Sequence, residues 1–147
     1  MKTVVVFTCV GLMFVAGCGG PKSGKGFTLP DGDVQNGRTI LVSMQCSECH
    51  TVAGVDRPRL PDGEKYDLTV KLGGEVPRIK TYGQLVTSII NPSHKLATGY
   101  HRGEIADDEA SKMRNYNDIM TVTELIDLVA FLQSKYELEP YDATYYP

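Results

Sequence analysis

Five consecutive residues, Cys46-Ser47-Glu48-Cys49-His50, carry side chains able to bind metals and react with electrophiles. Two thiols three residues apart on a tight turn reach the two vinyl groups along one edge of a porphyrin. The histidine that follows at once falls beneath the ring, where an imidazole nitrogen binds iron. The pattern C-x-x-C-H is therefore read as an attachment sequence for c-type haem, with Cys46 and Cys49 forming the thioethers and His50 the axial ligand. Covalent attachment holds a cofactor in a domain with too little core to enclose it. Other chemistries use the same atoms. A thioredoxin-like redox pair calls for a strand before the motif and a βαβ pattern around it. A zinc site has to recruit His94 and His101 from a distant irregular loop. A plain disulfide is the bland outcome for two cysteines in an exported protein. The sequence around the motif favours haem over all three.

The elements that position this motif read as helices. Asp33 offers an N-cap oxygen, and Val34, Gly37, Ile40, Leu41 and Met44 fall near helical period, which predicts about three turns leading into Cys46. Residues 51–80 are rich in Gly, Pro and charge and read as loop. A short helix is expected over 81–90, with Leu85, Val86, Ile89 and Ile90 on its apolar side and Asn91-Pro92 stopping it. Another loop runs from Ser93 to about Asp107, and 107–113 has the pattern of a weak helical turn or two. The clearest helix is the last. Thr121 opens it with Glu124 three residues on, a capping-box pattern; Leu125, Leu128, Val129 and Leu132 form its stripe, with Phe131 beside it, and it fades after Tyr136. No strand-like alternation or repeat is apparent, so the expected fold class is all-α, with three to four helices around one covalently attached haem.

The 147 residues suffice for one small domain and a targeting segment. Hydrophobic residues at 41% and charged residues at 22% fit a globular chain rather than a membrane bundle or a disordered one. At the N-terminus Lys2 precedes an apolar run from Val4 to Ala16 and then Gly17-Cys18-Gly19-Gly20, the features of an export signal. Val15-Ala16-Gly17-Cys18 resembles the lipobox of bacterial lipoproteins, in which the cysteine is acylated and becomes the first residue after cleavage. That resemblance makes 1–17 a lipoprotein signal peptide and Cys18 the lipidated residue, anchoring the exported protein to a bacterial membrane on its periplasmic or exterior side. Acyl chains contributing roughly 0.8 kcal/mol per buried CH₂ would hold it there without a spanning helix. Cys9 leaves with the signal, so Cys46 and Cys49 are the thiols left to the mature domain. Residues 18–32 have the composition of a flexible tether, 33–137 form the domain, and 138–147 form a C-terminal tail.

From Asp33 to Tyr136 the chain resembles a class I cytochrome c of the bacterial single-haem kind. In that family a helix leads into C-x-x-C-H, and its glycine packs against an aromatic on the C-terminal helix; Gly37 and Phe131 match these positions. The family often carries Gly-Pro-x-Leu after the haem motif, the Pro carbonyl bonding the other nitrogen of the ligand histidine. Here Arg57-Pro58-Arg59-Leu60 keeps Pro and Leu but not Gly, and the resemblance gives the acceptor role to Pro58. The run from Ser88 to Tyr100 is similar to one in a bacterial subset, where a Gly-Tyr pair lines the haem pocket. Tyr100 inherits that role, with half-buried packing as its ordinary alternative.

A second axial ligand is sought among Met113, Met120, His94 and His101. In the family the ligand methionine is usually followed by Pro, an aromatic and the cap of the last helix. Met113-Arg114-Asn115-Tyr116 before Thr121 has that spacing, with Arg114 where Pro is expected, which makes Met113 the assignment and Met120 the alternative. A thioether ligand favours ferrous iron and suits a carrier between redox proteins. No second catalytic constellation accompanies the motif, so the expected function is electron transfer at a membrane surface, as a carrier rather than an enzyme. A haem-based gas-binding or sensor module and a cytochrome subunit of a larger oxidoreductase complex are the alternatives. Redox proteins are the expected partners, and no nucleic acid. Residues 57–102 hold eight Lys/Arg against four Asp/Glu, and 103–147 hold three against ten, a lopsidedness that would steer an acidic partner if the basic loops border the haem edge.

Overall fold

The computed structural model describes residues 27–140; the expected signal peptide, Cys18 and the last seven residues of the expected tail lie outside them. Helix α1 spans Val34–Ser43, α2 Tyr82–Ile90, α3 Arg102–Ile105 and α4 Val122–Gln133. Asp33 caps α1, its Oδ1 accepting from the backbone N–H groups of Gln35 at 2.8 Å and Asn36 at 3.0 Å. Thr121 and Glu124 form the expected capping box on α4, and Thr81 with Gln84 forms a second one on α2. Each box satisfies amide donors that a helix start otherwise leaves free.

The frame of the domain is the crossing of α1 over α4. A Cβ built on Gly37 would lie 2.0 Å from the carbonyl oxygen of Asp127 and 2.7 Å from the Cβ of Phe131. The absence of a side chain is what lets the two backbones approach so closely. Phe131, expected beside the apolar stripe, is its most deeply buried member, and with Leu41 it is one of the two largest fully enclosed side chains. Ile40, Val52, Leu85, Val86, Ile89, Leu128, Val129 and Leu132 complete the core, so α2 packs on the same centre.

The frame also contains a buried carboxylate that the helical pattern did not reveal. Asp127 accepts from the backbone N–H of Asp33 at 2.8 Å and from Asn36 Nδ2 at 2.7 Å. These bonds tie the start of α1 to the middle of α4 and hold the Asp127 carboxyl below its ordinary range.

The domain is mainly helical as expected, with four helices among the described residues, and to these the fold adds six short strands that the sequence pattern does not show. β1 (His50–Val52) pairs in parallel with β2 (Val70–Leu72), β3 (Gly74–Val76) pairs in parallel with β6 (Tyr136–Leu138), and β4 (Ala106–Asp107) with β5 (Ala110–Ser111) makes an antiparallel hairpin. Segments of two or three residues are too short to show alternation, and two of the three pairings join residues far apart in the chain. The weak helical turn expected over 107–113 is in fact this hairpin, closed through Asp108 at φ 52°, a conformation that Asp tolerates better than most residues. The preceding loop contains α3. Gly73, at φ 81°, lets the chain turn against the end of α4, where a Cβ would meet Lys135 O at 2.6 Å. The tail expected from 138 begins one residue later, after β6. At the other end Leu29 packs on the core and a Cβ on Gly32 would strike Ile126 O at 2.7 Å, so the tether composition extends into residues that dock on the domain. Among the described residues no helix is long and apolar enough to cross a membrane.

Candidate haem site

After α1 the chain passes through Gln45, held in the left-handed region at φ 60°, into a 3₁₀ turn over Cys46–Glu48. β1 begins directly after Cys49. This geometry brings Cys46, Cys49 and His50 into the lining of an open cleft of about 1330 Å³, larger than the ~300–1,000 Å³ of ordinary small-molecule pockets. Its floor is apolar, formed in part by Leu41, Leu85, Val86 and Leu128. Both cysteines are free thiols, Cys46 half-buried and Cys49 exposed, so the disulfide alternative is not formed. Burial pushes the Cys46 thiol up, against the hydroxyl of Tyr116 beside it, which lowers it.

His50 Nδ1 lies 3.2 Å from the carbonyl oxygen of Val70. With the proton on Nδ1 the ring donates this bond and keeps the lone pair of Nε2 for a metal. The acceptor role assigned to Pro58 is corrected here. The carbonyl of Pro58 receives the hydroxyl of Tyr66 instead, and the pairing of His50 with Val70 across β1 and β2 supplies the acceptor. Val70 N–H returns the contact, donating to Cys49 O at 2.8 Å. Burial, the largest cause, and the nearby charge of Arg57 push the His50 pKa down, while the Val70 carbonyl raises it; the net shift is downward, toward the neutral form that binds iron.

The lining of the cleft also includes the half-buried Tyr100, Met113 and Met120 and the exposed His94. His101 is the N-cap residue of α3 and does not line the cleft. Among the described residues no group of three or more His, Cys, Asp or Glu side chains comes together as a metal site, so the zinc arrangement of Cys46, Cys49, His94 and His101 is not assembled. Tyr100 uses its hydroxyl to accept from Lys71 N at 3.1 Å, which ties the 93–101 loop to β2. Met113 follows β5, its N–H donating to Ser111 Oγ at 3.2 Å while Ser111 N–H donates to Ser93 Oγ at 3.0 Å. Met120 packs on the hydrophobic core and also borders a second hollow of about 210 Å³. Met113 has no part in that core.

Two residues that the motif reading left without a role stand out. Tyr116 is buried, and its hydroxyl donates to Met44 O at 2.9 Å, binding the loop that carries Met113 to the residue two before Cys46. Arg57, visible in the sequence only as a departure from Gly, reaches back over the 3₁₀ turn. No local pattern marks Val70 as an acceptor, because its role exists only once β1 and β2 pair.

Two thiols, an imidazole with a defined tautomer and an apolar cleft of this size form a donor set that fits a covalently bound haem. The chain belongs to the cytochrome c family, whose model, described as Cytochrome c, matches residues 34–135. The protein is accordingly a haem-containing electron-transfer protein with haem c as its covalent cofactor. No curated protein and no solved structure matches the chain.

Proposed function

We propose that the protein is a lipid-anchored, single-haem electron carrier with His50 and Met113 as the axial ligands, working at a bacterial membrane surface between two redox proteins. When bound, the haem supplies a one-electron iron couple. Cys46 and Cys49 fix one edge of the ring, and the Val70 carbonyl holds His50 in the tautomer that leaves Nε2 available. The observation that carries the ligand assignment is the contrast between the two methionines. Both line the cleft, but Met120 also packs against the hydrophobic core, whereas Met113 takes no part in that core and sits on a loop tied through Ser111 and Ser93.

Lys71, Lys80, Lys95 and Arg114 line the cleft, where Glu48 is the one acidic residue among the lining side chains. This supports docking of an acidic redox partner, with an association rate that falls as ionic strength rises. The anchor rests on the lipobox resemblance around Cys18, so Cys18→Ser is expected to move the protein from the membrane fraction to the soluble one. The deciding experiment is Met113→Ala beside Met120→Ala in the haem-loaded protein. Met113→Ala should bind carbon monoxide readily in the ferrous state and shift to a lower potential, because a soft ligand is lost. Met120→Ala should keep the wild-type spectrum and lose about 2–3 kcal/mol of stability as a core truncation. The reverse pattern would transfer the ligand role to Met120, and carbon monoxide binding by the wild type would favour a gas-binding module over a carrier.

A further inference from the structure

Arg57 lies behind the attachment turn with all three of its guanidinium nitrogens engaged. Nε donates to Ser47 O at 3.0 Å, Nη1 to Thr69 Oγ1 at 2.8 Å, and Nη2 to Glu48 O and to Leu68 O, the latter at 3.2 Å. Its plane covers the ring of Tyr66, 3.3 Å from the centroid. Ser47 and Glu48 are the two residues between the cysteines, while Leu68 and Thr69 run directly into Val70, the acceptor for His50. One side chain therefore joins the turn that carries the thiols to the strand that orients the imidazole. None of its partners is a carboxylate, and neither ion pair among the described residues includes it. The positive charge is held in place without neutralisation.

We infer that Arg57 is a positioning residue that raises the reduction potential of haem ligated by His50, by fixing an uncompensated cation against the back of the attachment turn. Ferric haem carries one more positive charge than ferrous haem, so a fixed neighbouring cation penalises the oxidised state. A guanidinium forked onto protein carbonyls and stacked on an aromatic ring cannot swing into solvent as a surface lysine does, and a half-buried charge is screened less by salt. The inference rests on the proposed ligation by His50, but not on the identity of the sixth ligand or on the anchor.

The test is the potential of haem-loaded protein, with intact mass recorded first to establish covalent haem in each variant. Arg57→Gln removes the charge and is expected to move the couple about tenfold toward the ferric form against a fixed mediator, about 59 mV for one electron. Arg57→Lys keeps a charge and should shift the couple much less while losing thermal stability with the fork. Should Arg57→Gln fail to accumulate, Thr69→Glu with Thr69→Gln as its neutral control decides the matter at an exposed position. The glutamate is placed to pair with Nη1 and should lower the potential relative to the control. An Arg57→Gln protein at the wild-type potential, equal shifts in the Lys and Gln variants, or no difference between the two Thr69 variants would overturn the inference. A wild type without haem mass would sink the parent reading instead.

Discussion

At the crossing of α1 and α4 the chain is held by bulk contact, with Gly37 admitting the backbone of α4 and Phe131 enclosed behind it. The walls of the cleft are held differently, by individual bonds between side chains and distant backbone atoms: the Tyr116 side chain to Met44, that of Tyr100 to Lys71, that of Asn117 to Ile90 and that of Arg57 to the attachment turn. A packed crossing loses much of its stability when the fit of one residue changes, because close-packed interiors relax only partly. A tied wall loses one bond at a time, each worth roughly 0.5–1.5 kcal/mol. The frame therefore fixes where the attachment turn sits, and the ties hold the loops that complete the cleft.

Gly37→Ala tests the strong side of this contrast. Its new methyl meets the Asp127 carbonyl and cannot be accommodated by a rotamer change, so the helices must separate. A loss of about 3 kcal/mol or more is expected by denaturant unfolding of the haem-loaded protein, at the upper end for overpacked cores. A loss below about 1 kcal/mol would mean that the crossing yields as easily as the wall.

Asp127 sharpens the contrast, because it is a polar bond set inside the frame. Its folded-state pKa lies below the unfolded value near ~4, with the Asn36 amide as the main cause and the Asp33 N–H second. The unfolded chain thus binds the proton more readily. Its stabilising contribution is complete above about pH 4 and is lost as pH falls through the lower folded value. Asp127→Asn is expected to lower the unfolding temperature at neutral pH and to flatten its decline across that acidic range. An unchanged acid profile would show that other carboxylates control it.

The smallest effect belongs to the wall. Tyr116→Phe removes one hydroxyl from Met44 O and is expected to cost about 1 kcal/mol by the same unfolding measurement, with attached haem unchanged by mass. A cost as large as that of Gly37→Ala would erase the distinction between a packed frame and a tied wall.

The parts of the molecule that local chemistry governs could be read from the residues in order. A cysteine pair with its following histidine, an Asp or Thr before an apolar period, and a glycine facing an aromatic each depend on neighbours within a few positions or on a single helix face. This is why α1, α2, α4 and the attachment motif were legible. The strands were not, since β1–β2 and β3–β6 join segments separated by loops or by most of the domain, and three residues carry no visible alternation. For the same reason the acceptor for His50 was misplaced onto Pro58, the nearest residue a family pattern offered. Val70 is twenty positions away and gains its role only from strand pairing. Arg57 looked like a lost glycine until the fold brought Ser47, Glu48, Leu68 and Thr69 within reach of one guanidinium. The sequence alone determined which thiols and which imidazole are offered to a haem, because covalent and ligand chemistry resides in residue type and short spacing. The tertiary structure decided what surrounds those atoms, because hydrogen-bond partners and fixed charges come from whichever distant segments the packed frame brings together.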